Sequence, residues 1–496
     1  MNIATVLQMV FTLPNLLWMN IGIFAGIIVG ALPGLTGTMA IALLLPVTYG
    51  LDSVTGMMLL LGVYCGGIYG GSITAILINT PGTPASAATS LDGYPLAQKG
   101  HALKALHMAL SASLVGGLIS CAVLLFAAPM IAKFALKFGA AEYFALALFG
   151  LTIIAGVGGK SQIKGLLMGF SGLLLSCVGI DSLDGVARFT FGNVNLTAGI
   201  SQIPVLIGLF AITEIMKKVR DIHAPIGETV AVQEEKIHFS DVLRYWKTLL
   251  KSSGIGVFIG AVPGTGAAIS SFMAYNEAKR ASKTPEEFGQ GSEDGLVACE
   301  AANNAVTGAT LIPLLTLGIP GDTNTAVLLG ALTMQGIVAG PTLFTKQANW
   351  VYAIMIGMIV INLLMYLQGR LFIRGFANIN KVPTKVLVPM LVVLCVIGAY
   401  ATKYNVFNAL LMVGIGIFGY FMQKLDFPLT PMVIGLVLGN LCESNMRRAL
   451  LMSRGSWLVF VKSPIACTFL ILAAFMLFFP MLQKKLTKRR AQKRAQ

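Results

Sequence analysis

Long apolar runs separated by short polar stretches dominate this chain, and many of the runs are long enough to cross a membrane. Apolar stretches fall near residues 16–32, 55–79, 105–127, 141–157, 163–180, 199–215, 254–274, 305–319, 325–343, 349–367, 385–400, 404–422 and 464–482. A helix needs about 20 apolar residues to span the hydrocarbon core. The pattern therefore predicts an all-α polytopic membrane protein with roughly a dozen apolar segments. Several segments are short or interrupted, and the interruptions carry most of the information.

A proline-glycine break recurs four times, twice in each of two similar halves. GALPGLTGTMA (Gly30 to Ala40) is echoed by GAVPGTGAAIS (Gly260 to Ser270), and INTPGTPASAATS (Ile78 to Ser90) by GIPGDTNTAVLLG (Gly318 to Gly330). An opened helix backbone leaves N–H and C=O groups unpaired, which hydrocarbon does not tolerate. Such breaks persist only where they line a cavity or are covered by protein. Matched breaks in two halves are the sequence pointer to a transporter's binding site. The breaks lie further apart in the second half, and the charged insertion Lys279 to Gly295 accounts for the difference.

These observations predict an N-terminal repeat over 1–215 and a linker over 216–251. A C-terminal repeat over 252–483 and a basic tail over 484–496 complete the chain. If the repeats enter the bilayer from opposite sides, they form two inverted repeats, each with two Pro-Gly-broken helices or re-entrant hairpins. The end of the linker, LRYWKTLLK (Leu243 to Lys251), reads as an amphipathic surface helix.

Composition agrees with this reading: 56% of the 496 residues are hydrophobic and 11% charged, against about 25% charged in soluble domains. The net charge of +15 does not indicate nucleic-acid binding, because no Lys or Arg precedes Lys99. Basic residues gather in 216–251 and again from Lys484. Both places are expected in the cytoplasm and the uncharged N-terminus outside, with the tail able to meet anionic phospholipid. No basic n-region precedes the first apolar stretch, so a cleaved signal peptide is not expected.

Several motifs are set aside. GVGGKS (Gly156 to Ser161) has Ile154 where a P-loop needs glycine. GIGIFG (Gly414 to Gly419) lies within an apolar run and has no ribose-binding acid after it. The GxxxG spacings of GVYCGGIYGG (Gly62 to Gly71) read as close helix packing. The seven cysteines form no CxxC pair, and the four histidines lack metal-ligand spacing. No histidine lies in an apolar run, so a membrane-embedded enzyme is not expected. No cofactor is expected either, beyond Na⁺ or H⁺ as a coupling ion.

The breaks themselves hold hydroxyls, amides and glycines but no basic residue from Gly30 to Gln98, from Ile255 to Tyr275, or from Val297 to Thr345. An anion held here would meet helix N-termini and hydroxyl donors. The substrate-binding candidates are Gly34, Thr36, Ser72, Asn79, Thr80, Gly82, Thr83, Gly264, Thr265, Gly321, Thr323 and Asn324. Na⁺, which prefers oxygen ligands, has candidate partners in Thr36, Asn79, Thr265, Asn303, Asn304 and Asp322. Taken singly, each such residue also fits a small packing group between helices; the four breaks as a set define a site.

Glu300 is the candidate coupling carboxylate, on one helical face with Asn303 or Asn304, Thr307 and Thr310. Two readings of it stay open, an intramembrane site or a carboxylate at the interface beside the charged loop. Asp322 follows Pro320-Gly321 directly, and a capping role suits its side chain. Glu443 and Arg447 stand four apart, the spacing of a structural pair within one helix.

Across nearly its whole length the chain resembles the large membrane subunit of the bacterial tripartite tricarboxylate transporters. GALPGLTGTMAIALLLPVTYGLD, YGGSITAILINTPGTPASAATSLDGYPLAQKG, EYFALALFGLT, RFTFG, EAANNAV, PLLTLGIPGDTNTAVLLGAL and the Glu443–Arg447 segment carry the resemblance. It implies a secondary transporter of the bacterial inner membrane that works with a small four-helix membrane subunit and a periplasmic substrate-binding protein. Substrates in such systems are organic carboxylates (citrate and other tricarboxylates, dicarboxylates, aromatic acids), driven by an ion gradient rather than ATP. The family's Pro-Gly turns fall on Pro33–Thr36, Asn79–Pro84, Pro263–Gly266 and Pro320–Asn324. Cys299 stands where the family's pattern leads one to expect proline ahead of EAANNA, which leaves the register of Glu300 open. A channel-like carboxylate permease that needs no binding protein is the alternative.

Overall fold

The computed structural model describes residues 2–32, 35–157, 161–181, 183–220, 235, 238–377 and 384–478. Pro33 and Gly34 of the first break, most of the linker (221–234 and 236–237) and the basic tail lie outside the described residues. So does part of the GVGGKS stretch, residues 158–160. Within the described residues the chain is almost wholly α-helical, with one short antiparallel hairpin pairing Gly179–Ile180 with Ala187–Arg188. Five of these helices are long and apolar enough to cross a membrane, and further apolar helices are shorter.

Two compact units emerge. One takes residues 1–133 and 203–420, the other 134–202 and 421–496. The larger unit draws on both sequence halves and holds every described break. Its helices are α1 (Leu13–Gly30), α2 (Gly37–Leu44), α3 (Ser53–Ile78), α4 (Thr89–Leu96) and α5 (Ala102–Ala135). From the second half come α6 (Trp246–Ala261), α7 (Gly266–Ala281), α8 (Glu293–Ala309), α9 (Leu311–Leu317), α10 (Thr323–Met334) and α11 (Ala348–Ala377). The expected surface helix at Leu243–Lys251 takes another form, since Trp246 to Lys251 make the first turns of α6.

The order of elements is the same in both halves. A helix is interrupted at a Pro-Gly pair, a second helix follows, and then a longer buried stretch ends in a left-handed residue. That residue is Asn79 after α3 (φ 53°) and Gly318 after α9 (φ 71°), and in each case proline follows two residues later. A left-handed cap satisfies the last carbonyls of a helix, and the proline prevents it from continuing. The first half joins this stretch in one helix, α3, whereas the second divides it between α8 and α9 around Thr310.

Glycine brings the buried helices close. A Cβ added at Gly26 of α1 would stand 2.5 Å from the Val63 carbonyl oxygen, and one at Gly66 of α3 would stand 2.4 Å from that of Ile23. The GxxxG spacing of α3 therefore does what its pattern predicts, letting two backbones touch. The second half repeats the device: a Cβ at Gly256 of α6 would meet the Ala302 carbonyl oxygen of α8 at 2.5 Å. Such contact buries α3 on every side. An all-apolar helix with no polar face belongs at the centre of a bundle.

In the smaller unit, helix Gln162–Ser176 crosses helix Thr430–Met452, and a Cβ at Gly435 would lie 2.2 Å from the Gly169 carbonyl oxygen. Beside this crossing Arg188 holds Glu443 with both guanidinium nitrogens, at 2.6 and 3.1 Å. Arg447 bonds Asp181 and Asp184. The expected Glu443–Arg447 pair is present at 3.6 Å but is the weakest link of this larger network. The network lines a cavity of about 480 Å³. The Leu183 N–H, then Arg447, hold the Asp181 carboxyl below its usual range, at about 2.

Candidate substrate and ion site at the broken helices

The four breaks meet in the larger unit. Within the first half, the Gly82 N–H donates to the Gly71 carbonyl at 3.2 Å, and Gly82 sits against the end of α1 at Gly30. Within the second half, the Gly264 N–H donates to the Gly321 carbonyl at 2.7 Å. Between halves, the Thr38 hydroxyl at the start of α2 donates to Asn324 Oδ1 at 2.7 Å and lies 3.2 Å from the Thr323 hydroxyl. Ala85, in the turn after the second break, clusters with Ala267 at the start of α7 and Val306 of α8. Each described break thus touches one from the other half.

Exposure grades across this centre. Asn79 and Thr80 are exposed, while Thr36, Gly264, Thr265 and Thr323 are half-buried. Gly82, Thr83, Gly321, Asp322 and Asn324 are buried beneath them. The helices that leave the breaks differ in how their first N–H groups are used. Thr36 caps α2 through the Met39 N–H, and Thr83 caps its turn through Ser86. Asp322 caps α10 through the Thr325 N–H at 2.8 Å, the role the sequence suggests for its side chain.

Thr265 caps nothing, because its hydroxyl donates backwards to the carbonyls of Ile259 and Val262. The N-terminus of α7 therefore begins without a side-chain cap. Uncapped N–H groups with the positive end of the helix dipole behind them suit an anion.

The turn into α7 depends on two glycines of positive φ, Gly264 (82°) and Gly266 (72°). A Cβ at Gly266 would meet nothing within 4 Å, so Gly266→Ala tests backbone conformation without a clash. The left-handed region costs an ordinary residue about 1–2 kcal/mol. We expect the variant to melt a few degrees lower and to lose most of its uptake. Gly266→Asn, whose short side chain tolerates this region, should recover both. Equal uptake by Gly266→Ala and wild type would show that the turn's shape does not matter.

Asp322 joins the breaks to the interior. Its second carboxylate oxygen accepts the Tyr64 hydroxyl at 2.9 Å and the Asn324 amide at 3.3 Å. Tyr64 in turn lies 3.1 Å from the Thr310 hydroxyl, against which Gly321 packs.

Glu300 lies deeper still, with no solvent exposure. Ser72 donates to it at 2.6 Å, Ser113 at 3.0 Å, and Thr89 supplies a third hydroxyl. Among the described residues no cation contacts its carboxylate. Ser72 therefore sits with Glu300 rather than at a break. Asn304 donates to Ser113 at 2.7 Å and so belongs to the same cluster. Asn303 is equally buried.

Tyr64, Tyr69 and Ser113 do not stand out in the sequence, because a single hydroxyl inside an apolar run has no local pattern to mark it; Thr89 lies near the end of the second break. Gly34 lies outside the described residues.

Fold and site together define an all-α membrane protein whose broken helices meet at a polar centre, the construction that transporters use for binding. The chain belongs to the Tripartite tricarboxylate transporter TctA family, whose pattern matches residues 16–434. That membership makes it a large subunit of a tripartite tricarboxylate transporter. Over 469 residues it is 38% identical to an Agrobacterium vitis protein described as "Uncharacterized 52.8 kDa protein in TAR-I ttuC' 3'region", covering 95% of this chain and 93% of that one. A second Agrobacterium vitis protein, "Uncharacterized protein in TAR-II ttuC' 3'region", is 36% identical over 234 residues, covering 47% of this chain and 97% of that one. No solved structure matches.

Proposed function

We propose that this subunit imports organic carboxylates across the bacterial inner membrane, driven by a Na⁺ or H⁺ gradient. It works with a small four-helix membrane subunit and takes its substrate from a periplasmic binding protein. The N-terminus faces the periplasm and the C-terminus the cytoplasm, in keeping with the charge distribution. The two halves act as inverted repeats.

The meeting of the four breaks, with the uncapped start of α7 among them, is the observation that carries this reading. A di- or tricarboxylate placed there meets backbone N–H groups and the hydroxyls of Thr36, Thr80 and Thr323. It meets no Lys or Arg from the break segments. Neutral donors in a site closed to water hold an anion less permanently than a buried arginine would, which suits a carrier that must release its cargo. The positive charge missing from the walls then enters with the coupling ion.

The test is uptake of labelled citrate, other tricarboxylates, dicarboxylates and aromatic acids into proteoliposomes. These contain the subunit and its small partner, with the binding protein added or left out, under a Na⁺ gradient, a proton gradient, or neither. Accumulation that needs both the gradient and the binding protein is the expected result. Accumulation without the binding protein would remove that dependence from the proposal. Equilibration without accumulation under every gradient would replace it with a channel.

A further inference from the structure

Glu300, Asn303, Thr307 and Thr310 recur along one face of α8 and onto its end, and this face is turned towards α3. Ser72 of α3 bonds Glu300, Cys65 faces Thr307, and Tyr64 meets Thr310. The two helices therefore run antiparallel in a register that leaves Tyr69 level with Asn303. Both are fully buried, at 0% exposure. Among the described residues neither amide atom of Asn303 has a hydrogen-bond partner, nor does the Tyr69 hydroxyl. Asn304 uses its amide nitrogen on Ser113 and the Glu300 carbonyl but leaves Oδ1 unpartnered.

A buried polar atom without a partner costs about 1–3 kcal/mol. Of these atoms, Asn303 Oδ1, Asn304 Oδ1 and the Tyr69 oxygen carry free lone pairs, and with the nearby carboxylate they point to a common absent cation. We infer that Glu300, Asn303 and Asn304 of α8, with Tyr69 of α3, form a binding site for one sodium ion, separate from the substrate breaks.

Charge and ligand type select the ion. The carboxylate already accepts three hydroxyl hydrogen bonds, from Ser72, Thr89 and Ser113. About four acceptor positions are available on a carboxylate, so one lone pair remains. A single negative charge in a dry interior is neutralised by a single positive one, which disfavours a divalent ion. The free atoms suited to an ion are amide carbonyl, carboxylate and phenol oxygens, the ligands that hard cations prefer. A proton on Glu300 would satisfy the carboxylate alone and leave the oxygens of Asn303, Asn304 and Tyr69 as they are.

The same face of α8 continues through Thr307 to Thr310, and from there through Tyr64 to Asp322 at the substrate breaks. An ion at Glu300 thus has a polar path of side chains to the substrate. Its part as the coupling ion rests on the proposed transport function; its binding does not.

The test is ²²Na⁺ binding to the full chain in lipid nanodiscs, without any carboxylate present. Wild type is expected to bind one Na⁺ saturably. Glu300→Gln and Asn303→Ala should each weaken binding at least about tenfold. Glu286→Gln, which removes an exposed carboxylate, should leave it unchanged. If Glu300→Gln fails to fold, Asn303→Ala carries the test, since it removes a side chain that bonds nothing in the fold. Absence of saturable binding to wild type, or wild-type binding by both site variants, overturns the site.

Uptake into proteoliposomes that also contain the small partner, with the binding protein added, separates the two proposals. Na⁺ binding without gradient-driven uptake supports the site and retires the transport function. Proton-driven uptake without Na⁺ binding does the reverse.

Discussion

Gly82→Ala is expected to abolish carboxylate uptake, the largest effect among the substitutions considered. A Cβ at this position would stand 2.1 Å from the Gly30 carbonyl oxygen and 2.8 Å from the Gly71 Cα. Both neighbours are backbone, so no rotamer change relieves the contact. Either the end of α1 or the break after α3 must move. Overpacking in a close-packed interior typically costs about 1–3 kcal/mol, and a backbone neighbour puts this case at the upper end. The displaced turn carries Thr80 and Thr83 with it, so binding geometry is lost even where the bundle survives. Gly50→Ala is the matched control, because a Cβ there would meet nothing within 4 Å. Uptake rate and thermal melting of both variants decide the matter. If Gly82→Ala transports like Gly50→Ala, the breaks are not packed as described.

Asp322→Ala should be nearly as damaging, for a different reason. One carboxylate oxygen holds the Thr325 N–H and hydroxyl, and the other holds Tyr64 and Asn324. Losing the cap costs about 1 kcal/mol. Leaving buried donors short of acceptors adds about 1–3 kcal/mol, for a total of about 2–4 kcal/mol. Asp322→Asn separates structure from charge, since asparagine also caps helices well. That variant should melt close to wild type yet transport poorly, because the negative end of the Tyr64–Thr310 chain is gone. Full transport by Asp322→Asn would reduce Asp322 to a cap. A melting temperature for Asp322→Ala equal to wild type would contradict the network itself.

Much of the architecture was legible in the sequence, because local chemistry dictates it. Proline and glycine cannot continue a helix smoothly, so each break is written where it occurs. The left-handed cap at Gly318 and the positive φ values at Gly264 and Gly266 fall on residues without a Cβ penalty. The GxxxG spacing of α3 and the capping role of Asp322 are likewise short-range properties, read within one or two turns.

Only the tertiary structure decided which of these local features meet. Thr38 and Asn324 are 286 residues apart, and Ser72 and Glu300 are 228 apart, so no periodicity relates them. The hydroxyl cage of Glu300 comes from three different helices, α3, α4 and α5, each contributing one serine or threonine. Sequence placed Glu300 on a polar face but left open whether water reaches it. Burial depends on what packs against that face, and here the partners are α3, which is itself buried on every side, α4 and α5. The sequence by itself determined where the helices break and what polar groups the breaks hold. The structure decided that the breaks share one centre and that a lone carboxylate lies beyond it, because the packing of distant segments sets both.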